Sequence, residues 1–240
     1  MKAMIFAAGL GTRMRPLTDN RPKALIEVNG KPLLEHVIHR LEEYGFNEIV
    51  VNVHHFANLI IEFLKQNNNF GLNIQISDEC GKLLDTGGGL KKAAHLLQGN
   101  EPILLHNVDV LSRIDLSAMT MAHKSSGSLV TLAVSQRATS RCLLFNDKNE
   151  MTGWQNKKTG EIREVARDSG NREALAFSGI HMIDPKIFKL MPAEDVFSII
   201  DLYLQICSSY PIRAFRHDPA QFLDIGKPEQ LLKAEEFLKK

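Results

Sequence analysis

The sequence predicts an α/β fold with a mostly parallel central sheet and a β-hairpin insertion, and three observations predict it. A composition of 44% hydrophobic and 24% charged residues over 240 positions is that of a globular chain able to bury a sizeable core. Short apolar runs bounded by turn residues alternate with segments of helical period, the pattern of βαβ units. One stretch, residues 141–164, breaks that alternation into short pieces separated by Asn146-Asp147-Lys148-Asn149 and Thr159-Gly160, which reads as antiparallel hairpins.

Taken in order, residues 3–8 form a first buried strand. After a long loop, residues 32–44 place Leu33, Leu34, Val37, Ile38 and Leu41 on one helical stripe, and Gly45 supplies the stop. Residues 48–53 are a second strand, 58–66 a helix, 72–76 a third strand and 89–97 a helix. The apolar run 103–105 leads into His106-Asn107-Val108-Asp109, and residues 128–134 are a strand with β-branched content. The hairpins come next, as an insertion beside the site. Residues 175–183 return to strand, 195–208 are a helix and 228–238 a closing amphipathic helix. No repeat, low-complexity tract or flexible linker divides the chain, so residues 1–240 are expected to form one domain.

Charge and cysteine content narrow the partners. With 29 Lys and Arg against 28 Asp and Glu, no field of one sign is available for a nucleic-acid backbone or an anionic membrane. No run approaches the roughly 18 apolar residues of a membrane span, and the N-terminal apolar run is too short for a secretory signal. Cys80, Cys142 and Cys207 have no CxxC spacing, and an odd, scattered set fits the reduced cytoplasm.

The chemistry concentrates after the first strand, in Gly9-Leu10-Gly11-Thr12-Arg13-Met14-Arg15-Pro16-Leu17-Thr18 followed by Arg21-Pro22-Lys23-Ala24-Leu25. Ligands of parallel sheets bind outside the carboxyl ends of the strands, where a glycine loop can aim backbone N–H groups at phosphate oxygens. Arg13 offers a fork of donors for a polyphosphate, and Lys23 is a point charge on a flexible stem. Met14 stands where a dinucleotide fingerprint needs Gly, and no Walker A loop is present.

These residues resemble the signature GxGTRxxPLT…PKxL of the sugar-phosphate nucleotidylyltransferases, whose Rossmann-like α/β fold is a three-layer sandwich. The resemblance extends over residues 84–90, 104–109, 177–180 and 222–231. It implies that Ala8, Gly9, Gly11 and Thr12 hold the nucleotide, that Arg13 meets the β- and γ-phosphates, and that Lys23 meets the reacting α-phosphate. Asp109 matches the Asn-Gly-Asp that supplies a Mg²⁺ ligand, and Asp224, in Leu223-Asp224-Ile225-Gly226, matches the second. A carboxylate emerging past a buried strand is a hard oxygen ligand suited to that ion. Residues 84–90 resemble PLGTAGxL, which implies nucleotide contacts from Gly87 and Gly88. Asn107 and Gly179 are implied in holding the sugar phosphate.

Three departures from the family pattern stand out. Val108 replaces Gly beside the metal Asp, so a side chain is expected to project into the site. Lys227 replaces a common Thr. The Glu-Lys motif whose Lys holds the sugar phosphate is not intact, and Gln155-Asn156-Lys157 is its nearest match, with Lys158, Arg163 and Arg167 close by. Trp154 packs either beside the sugar or in the core, and Glu79 is either the acidic residue that related enzymes carry there or a solvated loop charge. His54 and His55, side by side on a strand, would face opposite ways and cannot chelate one metal.

The resemblance implies attack of a sugar 1-phosphate oxygen on the α-phosphorus of an NTP, with pyrophosphate leaving and no protein nucleophile. Within the family, the short length and the Leu-Asp-Thr-Gly-Gly-Gly string look most like the uridylyltransferases that act on N-acetylmuramic acid 1-phosphate in cell-wall recycling. Mannose- or heptose-1-phosphate guanylyltransferases are the alternative enzymes, and a non-catalytic nucleotide-sugar sensor is the alternative of another class. Mg²⁺, an NTP and a sugar 1-phosphate are the expected ligands. Oligomeric state, base and sugar are not legible at this level.

Overall fold

The computed structural model describes residues 1–165 and 171–239. In chain order its strands and helices are β1 (Lys2–Phe6), β2 (Glu27–Val28), β3 (Lys31–Pro32), α1 (Leu33–Glu43), β4 (Glu48–Val53), α2 (Ala57–Gln66), β5 (Asn73–Asp78) and α3 (Asp85–Ala93). Then follow β6 (Ile103–Asn107), β7 (Val110–Ser112), α4 (Leu116–Ser126), β8 (Val130–Ser135), β9 (Arg141–Phe145), β10 (Met151–Asn156) and β11 (Ile162–Glu164). The chain closes with β12 (Glu173–Ile183), α5 (Ile199–Ile206), β13 (Ile212–Arg216), β14 (Phe222–Asp224) and α6 (Leu231–Lys239).

Among the described residues the main sheet has 10 strands, in the order β11-β10-β9-β12-β6-β1-β4-β5, with β8 and β13 added alongside β12. Strands β6, β1, β4 and β5 run parallel, whereas β12 meets β6, β8 and β9 antiparallel. The sheet is therefore mixed around a parallel core. The period of 2 sorts its side chains between two helical layers. Ala3, Ile5, Ile49, Val51 and Leu104 pack with α1, α2 and α4, while Met4, Val50, Ile103 and Leu105 pack with α3 and α5. That is the expected three-layer sandwich.

The hairpin reading of residues 141–164 holds as a meander, β9 against β10 and β10 against β11. Rather than standing apart, it extends the main sheet through β12. Other expectations shift. Helix α3 begins at Asp85, four residues before the expected 89, because Gly87 and Gly88, which read as loop, are helical. Helix α5 begins at Ile199, where the Ser198 hydroxyl accepts from the Ile200 N–H, so residues 195–197 are not helical. No helix among the described residues is long and apolar enough to cross a membrane.

A third, smaller core holds Met14, Ile26, Val28, Leu33, Leu111, Ile225 and Ala234. It joins the glycine loop, through fully buried Met14, to the segment after β14. One apolar anchor thus fixes two otherwise separate edges of the site.

Candidate active site

Strands β1 and β6 lie side by side with Phe6 opposite Asn107, so the loops that follow both open on the same sheet edge. After β1, Gly11 takes φ of +64°, where a Cβ would stand 3.0 Å from Thr18 Cγ2 and 3.3 Å from Lys23 Cβ. Only glycine fits that approach. The Thr18 hydroxyl donates to the Gly11 carbonyl at 2.9 Å and the Met14 N–H donates to it at 2.8 Å, which closes the loop on itself. Gly9 is exposed beside buried Ala8, with nothing within 4 Å of where a Cβ would stand, so its backbone is open to a ligand. Thr12 and Arg13 are exposed on the next turn.

Two carboxylates meet across this edge. Strand β14 pairs antiparallel with β7, Asp224 opposite Val110, and the Ile225 N–H donates to the Asp109 carbonyl at 2.8 Å. Their 115-residue separation in sequence is closed by that small sheet. Lys23, on the short turn after Pro22, donates from Nζ to Asp109 Oδ2. Asp224 keeps an open face to solvent, yet protein packed around the rest of its carboxyl desolvates it, and Asp109 adds repulsion. Together these raise Asp224 above the ordinary carboxylate value against the pull of Lys23, Arg13 and Arg137. Arg13 flanks the pair, its guanidinium 3.4 Å from where a Gly226 Cβ would stand.

Asn107 faces β12, where Gly179 at φ +68° leaves no room for a side chain: a Cβ there would be 2.6 Å from Asn107 Nδ2. The register of β12 against β8 shifts between Phe177 and His181, so Gly179 sits in a bulge. Ala8, Gly9, Gly11, Thr12, Arg13, Lys23, Asn107, Asp109, Gly179 and Asp224 therefore gather at one edge.

Other expected residues lie elsewhere. Gly87 and Gly88 are buried, and both N–H groups donate to the Phe197 carbonyl, at 2.9 and 3.2 Å. Cβ atoms there would strike the Phe197 ring at 2.3 Å and the Asp195 carbonyl at 1.9 Å, so packing of α3 on residues 195–197 is what requires glycine. Lys157 is exposed on the turn between β10 and β11, with its N–H on the Ser140 carbonyl at 2.7 Å. Lys158 shares that turn, Arg163 pairs with Asp201 at 2.6 Å, and Arg167 lies outside the described residues. Val108 is 6% exposed and packs in the core, so it does not project into the site as its position beside Asp109 suggested. Trp154 packs against the sheet with Arg163 over its ring. His54 and His55 lie past the end of β4; His54 Nδ1 bonds the Glu79 carbonyl at 2.9 Å and His55 stacks on Phe56.

A cavity of about 370 Å³ adjoins the glycine loop, lined by Phe6, Ala8, Gly9, Asn52, Glu79, Leu83, Asp85, Thr86 and Val196. Glu79 is 1% exposed, not a solvated loop charge. Its Oε1 accepts from Asn52 Nδ2 at 2.6 Å and its Oε2 from the Leu84 N–H at 3.1 Å, while Asn52 Oδ1 accepts from the Ala7 N–H at 2.7 Å. The pocket floor is thus a polar relay across β1, β4 and the loop before α3. Asp85 and Thr86 present the start of α3 to it, Asp85 at φ +60°. The relay escaped the sequence reading because Asn52 sits in an apolar strand and carries no motif.

Residues 2–240 match the family described as Nucleotidyl transferase. The chain belongs to that family. An N-acetylmuramate alpha-1-phosphate uridylyltransferase of Caulobacter vibrioides is 34% identical over 97% of this chain and 95% of its own. One of Neisseria meningitidis serogroup B is 48% identical over 49% of this chain and 51% of its own. The crystal structure of HddC from Yersinia pseudotuberculosis complexed with GMP-PN shares the fold at a TM-score of 0.77 and 23% identity, covering 99% of both chains. In this nucleotidyl transferase the glycine loop, the paired carboxylates and the flanking cations lie together at one sheet edge.

Proposed function

We propose that this chain transfers uridine monophosphate from UTP to N-acetylmuramic acid 1-phosphate, releasing pyrophosphate, as a cytoplasmic step of cell-wall recycling. The reading rests on full-length similarity to a uridylyltransferase of that substrate, together with one constellation: Lys23 and Arg13 gathered on Asp109 and Asp224 beside an open glycine loop. Cys80 and Cys142 are free thiols, which fits the compartment.

In this reading, Gly9, Gly11 and Thr12 receive the triphosphate through backbone N–H groups, and Arg13 takes its outer phosphates. The pocket beside Glu79 takes the base, with Asp85 and Thr86 at its rim. Lys23 moves with the α-phosphate as the sugar 1-phosphate oxygen attacks in line and pyrophosphate departs. Asn107 and the Gly179 bulge bound the side from which the sugar phosphate approaches.

The carboxylate pair fits a hard divalent cation such as Mg²⁺, because Asp109, on the turn between β6 and β7, and Asp224, at the end of β14, repel one another, and among the described residues Asp109 alone of the two holds an ammonium. When bound, Mg²⁺ supplies neutralising charge to the triphosphate.

The test is pyrophosphate release from a panel of four triphosphates against several sugar 1-phosphates, with Mg²⁺ present or withheld. Release is expected with UTP and N-acetylmuramic acid 1-phosphate and is lost on leaving out any component. Turnover without a sugar phosphate indicates a hydrolase, and use of GTP alone overturns the base assignment while leaving the reaction class.

A further inference from the structure

The family's sugar-phosphate lysine has no intact motif here, and Lys157 stands exposed on a turn. A phosphate held there would have to order a long, exposed side chain at a cost in rotamer entropy. The structure offers another cation that is already ordered.

Arg137 follows β8 and is half-buried at the junction of β12 and β14. Its guanidinium carbon lies 4.3 Å from the Phe222 ring centroid, and its Nη2 donates to the Phe177 carbonyl at 2.6 Å. Phe177 is two residues before the Gly179 bulge. Phe222 is two residues before Asp224, hence on the same face of β14. The charges of Arg137 and Asp224 attract one another. Arg137 therefore bridges the two places that bound the sugar-phosphate side, the bulge against Asn107 and the carboxylate pair.

Its donors are under-used. Of five N–H groups, the Phe177 carbonyl takes one, and Nε is buried with no acceptor among the described residues. A guanidinium with idle donors in a partly desolvated place is costly to keep. Other arginines are engaged by carboxylates: Arg216 by Glu173, with Asn149, Arg163 by Asp201, and Arg213 by Glu150, although the Arg213 Nε likewise has no acceptor among the described residues. Stacking on Phe222 fixes the plane of the Arg137 fork, as bidentate recognition of a phosphate requires.

We infer that Arg137, pinned by the Phe222 ring and the Phe177 carbonyl, binds the phosphate of the sugar 1-phosphate, the role for which the broken Glu-Lys motif leaves no buried lysine. The assignment rests on the proposed reaction and deepens it. Charge-assisted hydrogen bonds to a phosphate make Arg137 part of acceptor binding and leave nucleotide binding to the glycine loop.

The experiment compares wild type with Arg137→Met, which keeps a stem over Phe222, Arg137→Lys, which keeps charge without the fork, and Lys157→Ala. KM for N-acetylmuramic acid 1-phosphate and for N-acetylglucosamine 1-phosphate is measured alongside KM for UTP, with UTP binding by calorimetry. Arg137→Met is expected to raise KM for both sugar phosphates by about 10- to 100-fold, the worth of hydrogen bonds to a charged group. Arg137→Lys should fall between, with UTP binding unchanged and Lys157→Ala near wild type.

Three results overturn the assignment while the reaction stands: unchanged sugar-phosphate KM in both Arg137 variants, an equal loss of UTP binding, or an effect confined to the sugar bearing the lactyl carboxylate. Should Arg137→Met not fold, Arg137→Lys decides alone, because a lysine as good as arginine removes the fork from the argument. A wild-type protein that releases no pyrophosphate from any pairing overturns the reaction and this assignment together.

Discussion

Lys23 is bonded to Asp109, so the ammonium assigned to the α-phosphate in the proposed reaction is held in place by one of the two carboxylates. A charge positioned in advance acts mainly on the transition state. Lys23→Ala is therefore expected to lower kcat by about 10²-fold or more with a smaller change in KM, measured by pyrophosphate release. Asp109→Asn and Asp224→Asn should each remove most activity, and the double variant should be little worse than either, because members of one unit are not additive. Additive losses, or an unchanged Mg²⁺ titration in the Asp224 variant, would separate the pair. Val108 illustrates how a residue's neighbours in sequence mislead. Standing beside Asp109 it read as a side chain in the site, but it is 6% exposed in the core. Val108→Ala should lower stability by about 1–3 kcal/mol in urea unfolding and leave the ranking of sugar phosphates alone.

At the scale of elements, the sequence reading succeeded where one physical signal dominated. The apolar run of β4 is bounded as expected at Glu48–Val53, and the stripe on α1 is buried as Leu33, Leu34, Val37, Ile38 and Leu41. Where local chemistry and tertiary packing disagreed, packing won. Helix α4 carries Ala, Ser, Thr and His with no clear apolar stripe, so nothing in its period announced it, although Asp115 caps it through the Ala118 N–H at 2.9 Å. Strands β7 and β14 have 3 residues each and exist because they pair with one another. In the site, the loop residues and both aspartates were legible through motifs. Arg137, Asn52 and the burial of Glu79 were not, because their roles come from contacts with distant strands. The glycines of α3 belong to the same lesson. With the Asp195 carbonyl 1.9 Å from where a Gly88 Cβ would stand, Gly88→Ala must push residues 195–197 away from the helix. An overpacking cost of about 1–3 kcal/mol is expected in thermal or urea unfolding. An unperturbed Tm would show that the 195–197 segment yields freely.

Over the whole molecule, the buried histidines set a stability profile with pH. His106 and His181 lie on the adjoining strands β6 and β12, His181 Nδ1 bonded to the Tyr203 hydroxyl at 2.6 Å; His123, on α4, bonds the Thr131 hydroxyl at 2.9 Å. All three are 2% exposed or less. Burial, as the largest cause, lowers His106 and His123 from 6.5 to about 4, and His181 from 6.5 to about 3. Between those values and 6.5 the unfolded chain binds protons that the folded chain does not. The stability held by the neutral rings is therefore complete above pH 6.5 and is lost progressively as pH falls toward 4. With roughly 1.4 kcal/mol per pH unit for each group, three histidines together give a limiting slope of about 4 kcal/mol per unit in that window. One to two units below the onset should therefore remove about 4–8 kcal/mol of the roughly 5–15 kcal/mol by which a domain of this kind is stable. Urea unfolding at pH 7.5, 6.5, 5.5 and 5.0 checks this. A midpoint that stays flat to pH 5.0 would mean the rings protonate in place without cost. A drop in wild type that is reduced by about a third in His123→Gln, whose ring is remote from the glycine loop in sequence and packed on β8, would trace it to the histidines. Carboxylates titrate mostly below this window, so the fall above pH 5 belongs to histidines, with the half-buried His217, also lowered by burial, adding to the three.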